Sequence, residues 1–206
     1  MSIMFPRELP AVRYAAGADP VLDDGVTASR TRGRLTNFSQ VVAPTWSVTL
    51  STLGLVYSQF SEVEAWWLSL RGGTASKGVI FRHPHMRYPL AHLTNPAPAE
   101  INGRLVSVTE GNLLNVADVA PGLILSIGDV VGLQVEGQTY RGKVIEVSGV
   151  GSARSIRVEP PPYRAVAQAN AVVRFTNIPL FMRPVPGSFS APRSGRFYNV
   201  TFKLQE

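Results

Sequence analysis

The spacing of apolar positions changes period once along this chain, and that change locates its one predicted helix. In Ser61–Gly72 (SEVEAWWLSLRG), Val63, Trp66, Trp67 and Leu70 fall at i, i+3, i+4 and i+7 and form one apolar stripe. Ser61 suits the N-cap, Glu64 completes a capping box, and Gly72 and Gly73 suit the C-terminal end. Two indoles on one stripe need a large surface to bury them, so the helix is expected to lie across a sheet. The strands to either side supply it. Trp46, Val48 and Leu50 alternate with Ser47, Thr49 and Ser51, which predicts a strand whose apolar face meets the helix. A preceding strand begins at Leu35, carries Phe38, Val41 and Val42, and breaks at Pro44. After the helix, Lys77 to Phe81 reads as a strand with Val79 and Phe81 on one face.

Elsewhere the pattern is of short strands and turns. Residues 1–34 are expected to gain order only against neighbours, with a loop at Ala15–Pro20 and a turn at Asp23-Asp24-Gly25. Arg30, Arg32 and Arg34 alternate, so on a strand they share one face. That face is either solvated or an electrostatic contact to a neighbouring subunit. Asn95–Ala99 (NPAPA) reads as an extended linker. Beyond it, Leu105–Val108, Leu123–Ile127, Val130–Val135, Tyr140–Val147, Ser155–Val158 and Val172–Phe175 are predicted strands, which suggests a small closed barrel or sandwich. Two further strands fall at Ile178–Met182 and Arg196–Leu204; in the last, Tyr198, Val200, Phe202 and Leu204 share a face. A terminal strand this regular needs a sheet to join. The expected fold is therefore mainly β, with a first domain built from residues 1–99 and 176–206 and an insertion, 100–175, forming the barrel.

Composition narrows the chemistry. The chain lacks cysteine, which removes disulfides, thiolate metal sites and a cysteine nucleophile, and suits a reducing cytoplasm. No signal-peptide pattern opens it. Ser39–Ser61 is uncharged, but its alternation and Pro44 favour strands over a membrane span. The net charge is +6 and arginine supplies 17 of the 20 basic residues, dispersed along the chain. Arginine suits planar contacts to carboxylates or phosphates, so acidic neighbours in an assembly, or nucleic acid, are the partners to consider. His83, His85 and His92 have the spacing of a weak metal site; Pro84, Pro89 and the absence of a nearby acid favour a surface or interface loop. Gly128-Asp129 follows an apolar strand, where aspartate holds a tight turn through backbone amides. No catalytic or nucleotide-binding motif is present. No catalytic residue, cofactor or metal is expected.

Taken in order, an EAWWLSLRGG helix, a GVIFRHPHMRYP strand and loop, and the barrel phrases LILSIGDVV, YRGKVIEV and IRVEPPPYR resemble the distal tail proteins of long-tailed, non-contractile bacteriophages and their prophage relatives. The resemblance implies a β-sandwich-like, ring-forming domain with one helix, completed by the C-terminal strand. It also implies an inserted OB-like or galectin-like barrel facing outward. Such proteins form a hexameric ring that joins the tail tube protein to the baseplate hub protein, with the tape measure protein as a further expected neighbour. The implied location is the virion tail tip, after assembly in the host cytoplasm and without a membrane partner. Trp46, Val63, Trp66, Trp67 and Leu70 then form the structural core of the ring domain. Arg30, Arg32 and Arg34 are candidates for the subunit interface.

The competing reading is an OB-type nucleic-acid-binding protein, which basic charge and a barrel both allow. It requires aromatic and basic residues gathered on one barrel face, and the insertion holds only Tyr140, Tyr163 and Phe175. A carbohydrate-binding module requires exposed aromatics for sugar stacking and meets the same objection.

Overall fold

A computed structural model describes residues 4–30, 36–70, 77–93, 101–149 and 151–206. The chain is mainly β with one α-helix, and it divides into two compact units: Met1–Val79 with Met182–Glu206, and Ile80–Phe181. The first is thus assembled from both ends of the sequence. The sequence pattern set the divide at 99/100 and 175/176. The difference lies in residues 80–93 and 176–181, of which Ile80–Phe81 and Leu180–Phe181 belong to strands of the six-stranded sheet and the rest bond to the barrel's loops and strands. Asn177 N–H donates to the Arg87 carbonyl, Leu90 N–H donates to Asp129, Ile124 N–H donates to His92, and Ile101 N–H donates to Thr176. The expected linker, 95–99, lies outside the described residues.

In the first unit the helix crosses a sheet. It runs Tyr57–Ser69, one turn earlier than the Ser61 start that the capping pattern predicts. Val56 occupies the N-cap, and its N–H donates to the Gln59 side chain at 3.3 Å; Ser61 sits inside the helix. The extra turn has a tertiary cause. Phe60 stacks on Tyr198 with ring centroids 4.4 Å apart, and Tyr57 packs beside both. The apolar stripe therefore extends back past Val63. Leu70 caps the C-terminus; Gly72 and Gly73 lie outside the described residues.

The stripe itself is buried. Val63, Trp66 and Leu70 are buried, and Trp67 is half-buried. Phe202 receives both indoles, at 5.5 Å from Trp66 and 5.4 Å from Trp67, and Phe189 closes over Trp67. Trp66 Nε1 donates to the Glu8 carbonyl at 3.0 Å, satisfying the one polar atom of the buried ring.

Six strands form the main sheet, in the order Arg7–Glu8, Val79–Phe81, Leu180–Pro184, Thr201–Gln205, Thr45–Ser51 and Val21–Asp23. The regular C-terminal strand lies inside it. Thr201–Gln205 pairs antiparallel with Thr45–Ser51 on one side and Leu180–Pro184 on the other. Val200, Phe202 and Leu204 alternate into the core, as do Trp46, Val48 and Leu50. The strand predicted over Arg196–Leu204 is divided: Phe197–Tyr198 pairs instead with Arg193–Ser194 in a small hairpin.

The second unit is a closed barrel of six strands. Its circuit is Gln138–Ser148, Arg154–Glu159, Leu113–Ala117, Asn102–Thr109, Val172–Arg174 and Val130–Val135, and every neighbouring pair is antiparallel. That is one strand more than the five of an OB-fold. Leu105, Leu114, Leu133, Ile156, Val173 and Phe175 fill the interior. Two strands carry bulges, and each leaves an extra apolar residue outside, Val106 in one and Ile145 in the other.

The pattern missed one barrel strand and supplied one that does not form. Leu113–Ala117 is short and centred on Asn115, yet Leu114 and Val116 point inward. Leu123–Ser126 alternates as a strand does, with Leu123 and Leu125 buried and Ile124 exposed, but the alternation fails at the exposed Ile127 and the segment joins no ladder. Several of its backbone groups bond side chains instead: Ile124 N–H to His92 Nε2, and the Leu123 carbonyl to the Arg154 guanidinium at 2.9 Å.

Candidate interaction surface

Where the Val21–Asp23 and Thr45–Ser51 strands end their pairing, the two chains continue as a separate ribbon. Val26–Arg30 pairs antiparallel with Thr36–Gln40. The break between sheet and ribbon is made by the Asp23-Asp24-Gly25 turn. Asp23 Oδ1 accepts the Gly25 N–H at 3.0 Å, and the Gly25 carbonyl accepts the Val41 N–H at 2.9 Å. Gly25 has φ +63°, and a Cβ there would collide with the Val42 carbonyl. Glycine is required at this position on both counts.

The register places Val26, Ala28 and Phe38 on one face of the ribbon, and Thr27, Ser29 and Ser39 on the other. Every side chain described in these two strands is exposed. Val26 and Phe38, and Val41 and Val42 just after the second strand, stand far into solvent: by 48%, 69%, 66% and 61%. A two-stranded ribbon alone is marginal in water, and contiguous exposed apolar surface marks a site of association. The signal for this element was present in the sequence. Two turn breaks, Asp24-Gly25 and Ala43-Pro44, interrupt both partner strands at matching points.

Of the three candidate interface arginines, Arg30 ends the first ribbon strand. Arg32 and Arg34 lie outside the described residues.

His83, His92 and Asp129 hold loops of the barrel unit. His83 is buried, and its Nδ1 accepts the backbone N–H of His85 at 3.1 Å and of Met86 at 2.8 Å. This was not legible from the spacing: His83 folds its own loop. His92 Nε2 accepts the Ile124 N–H at 3.0 Å. A ring nitrogen that accepts an amide proton has no lone pair to offer a metal. Among the described residues, no group of three or more His, Asp or Glu side chains could hold a metal ion.

Asp129 is buried and accepts from two directions: Leu90 N–H on Oδ1 at 2.8 Å, and Ser126 N–H on Oδ2 at 2.6 Å. The Gly128-Asp129 turn lies against Val144, whose N–H donates to the Asp129 carbonyl and whose carbonyl accepts the Gly128 N–H. Gly128 takes φ +93° there. One carboxylate thus ties the 82–93 loop to the loop that closes the barrel.

On the outside of the barrel, arginines meet acids. Arg157 reaches Glu110 at 2.7 Å and Glu146 at 3.1 Å, and these bonds raise its pKa above the ordinary arginine value. Arg104 bonds Asp118 at 2.8 Å. Among the described barrel strands, Tyr140 turns inward and its hydroxyl donates to the Pro160 carbonyl. No helix among the described residues is long and apolar enough to cross a membrane. Compared with known proteins, the chain matches no family model and no curated protein sequence.

Proposed function

We propose that the chain is a structural subunit of a bacteriophage tail tip, a distal tail protein that closes into a hexameric ring between tail tube and baseplate hub. The observation that carries this reading is the Val26–Gln40 ribbon. Its described apolar residues are exposed, with no cover among the described residues, and a heterologous contact with an identical neighbour supplies cover while closing a ring. The sequence resemblance gives the ring its place in a virion. In this role the chain has no catalytic duty, and its neighbours are its own copies, the tail tube protein, the baseplate hub protein and the tape measure protein.

Nucleic-acid binding by the barrel is disfavoured by charge. Arg104 and Arg157 are already paired with Asp118, Glu110 and Glu146, so they present little free positive potential to phosphates.

Negative-stain imaging and light scattering of the purified protein, alone and with its tail neighbours, test the proposal. Closed rings of uniform diameter are expected. Reversing Arg30, Arg32 and Arg34 to glutamate is expected to disperse them while leaving the melting temperature within a few degrees, because exposed charges contribute little to a fold. A protein that stays monomeric at high concentration even with its tail neighbours added contradicts the reading.

A further inference from the structure

The Thr45–Ser51 strand separates two exposed surfaces of opposite charge, roughly 20 Å apart at the rise of an extended chain. Past its C-terminal end, the 53–57 segment packs beside the hairpin formed by Arg193–Ser194 and Phe197–Tyr198. Leu55 and Tyr198 exchange backbone bonds at 2.8 and 2.9 Å, and the Tyr57 and Tyr198 rings lie 6.1 Å apart. Leu53, Val56, Tyr57 and Phe197 are all exposed there. The Arg196 guanidinium stands 5.2 Å from the centre of the Phe197 ring, and that of Arg193 stands 5.8 Å from the centre of the Tyr198 ring. A guanidinium held over a ring keeps N–H donors in its own plane for a carboxylate. Neither arginine makes an ion pair among the described residues. Residues 45–61 and 180–205 contain no acid, so nothing nearby in sequence offsets this charge.

The other surface lies where the ribbon leaves the sheet. Val21, Val26, Val41 and Val42 are exposed around the Asp23-Asp24-Gly25 turn, and the bond from Val41 N–H to the Gly25 carbonyl keeps Val41 and Val42 against it. Phe38 continues the Val26 face of the ribbon. Asp23 and Asp24 are exposed and make no ion pair among the described residues. Val21–Asp23 is also an edge strand of the six-stranded sheet, and an edge leaves backbone groups for a neighbour to meet. One surface is apolar and cationic; the other is apolar and anionic.

We infer that the hairpin end of one copy docks on the turn end of the next, with Arg193 and Arg196 facing Asp23 and Asp24, and with Tyr57 and Phe197 over Val26 and Val41. This inference rests on the ring reading and specifies its contact. The two surfaces stand at opposite ends of one strand, so neither covers the other within a copy. The contact is therefore heterologous: every copy gives one surface and receives the other. The valines and aromatic rings exclude water from the ion pairs between them, which strengthens those pairs over exposed ones.

Two charge variants and their mixture test the contact by light scattering. The first carries Arg193→Glu and Arg196→Glu. The second carries Asp24→Arg and Asp23→Asn, which keeps the oxygen that accepts the Gly25 N–H. Each variant alone sets like charges face to face, and its association is expected to weaken at least about ten-fold. An equimolar mixture is expected to recover the parent's assembly, because copies that alternate around an even-numbered ring match at every contact. If either variant alone assembles as the parent does, or if the mixture fails to recover, the inference is overturned while the ring reading stands. If the parent protein does not assemble, both are overturned. Should a charge variant lose its cooperative melting, cross-linking decides, since the chain has no native cysteine. Differently tagged Leu53→Cys and Val41→Cys proteins are mixed, allowed to assemble and treated with a short bismaleimide. A cross-linked heterodimer is expected, with no dimer from either variant alone; rings without the heterodimer overturn the inference.

Discussion

The barrel and the ribbon solve the same problem in opposite ways. Both are antiparallel β-structure cut from one chain. In the barrel, six strands close on themselves, so no strand edge is left over, and the interior face of every strand meets the others. Even its connecting loops are tied down, by Asp129 and His92. Among the described residues the ribbon has two strands, no further strand on either edge and no core; Phe38 stands in water. Closure makes the barrel complete as a single copy. On the proposed reading, the ribbon is completed by a neighbouring copy. The barrel buries its core apolar residues within one copy, whereas the ribbon leaves its own exposed.

The largest effect is expected at the base from which the ribbon grows. Truncating Trp66 to alanine empties the space between helix and sheet and removes the ring that Phe202 and Trp67 pack against. A loss of about 3–5 kcal/mol is expected, read as a large fall in the denaturant midpoint of the sheet unit. A loss under about 1 kcal/mol would show that the helix is not seated as described.

A smaller effect is expected in the barrel. Asp129→Ala leaves the Leu90 and Ser126 amides without their acceptor in a buried site, which costs about 1–3 kcal/mol. Hydrogen exchange should quicken at those two amides, together with Ile124, while the strand amides stay protected. Asp129→Asn keeps one acceptor oxygen and should lose less. Equal losses for the two variants would contradict the two-sided bonding.

Much of this fold was readable because its periods are strong. The Val63–Leu70 stripe, the Trp46–Leu50 alternation and the Val200–Leu204 alternation each marked the buried face. Boundaries were less readable because they depend on partners distant in sequence. The helix begins at Tyr57 because Tyr198, far along the chain, stacks on Phe60. Leu123–Ser126 has a strand's alternation but gives backbone bonds to His92 and Arg154. His83 suggested a metal ligand by spacing, whereas its role as an amide acceptor depends on a turn that composition does not reveal. The candidate surface was half legible: its arginines stood out, but its exposed Phe38 looked like any core residue of a strand.

The ribbon carries the smallest expected effect on stability and the largest consequence for the account. Surface substitutions away from packed or bonded groups fall within about 0.5 kcal/mol, so Phe38→Ser should leave the melting curve of the isolated subunit unchanged. The most direct test measures the mass of Phe38→Ser and parent protein by light scattering across a concentration series. The account predicts a ring mass for the parent and a shift to monomer for the variant, with superimposable melting of the two monomers. Equal masses for both proteins at every concentration would contradict the claim that this exposed face is what holds neighbouring copies together.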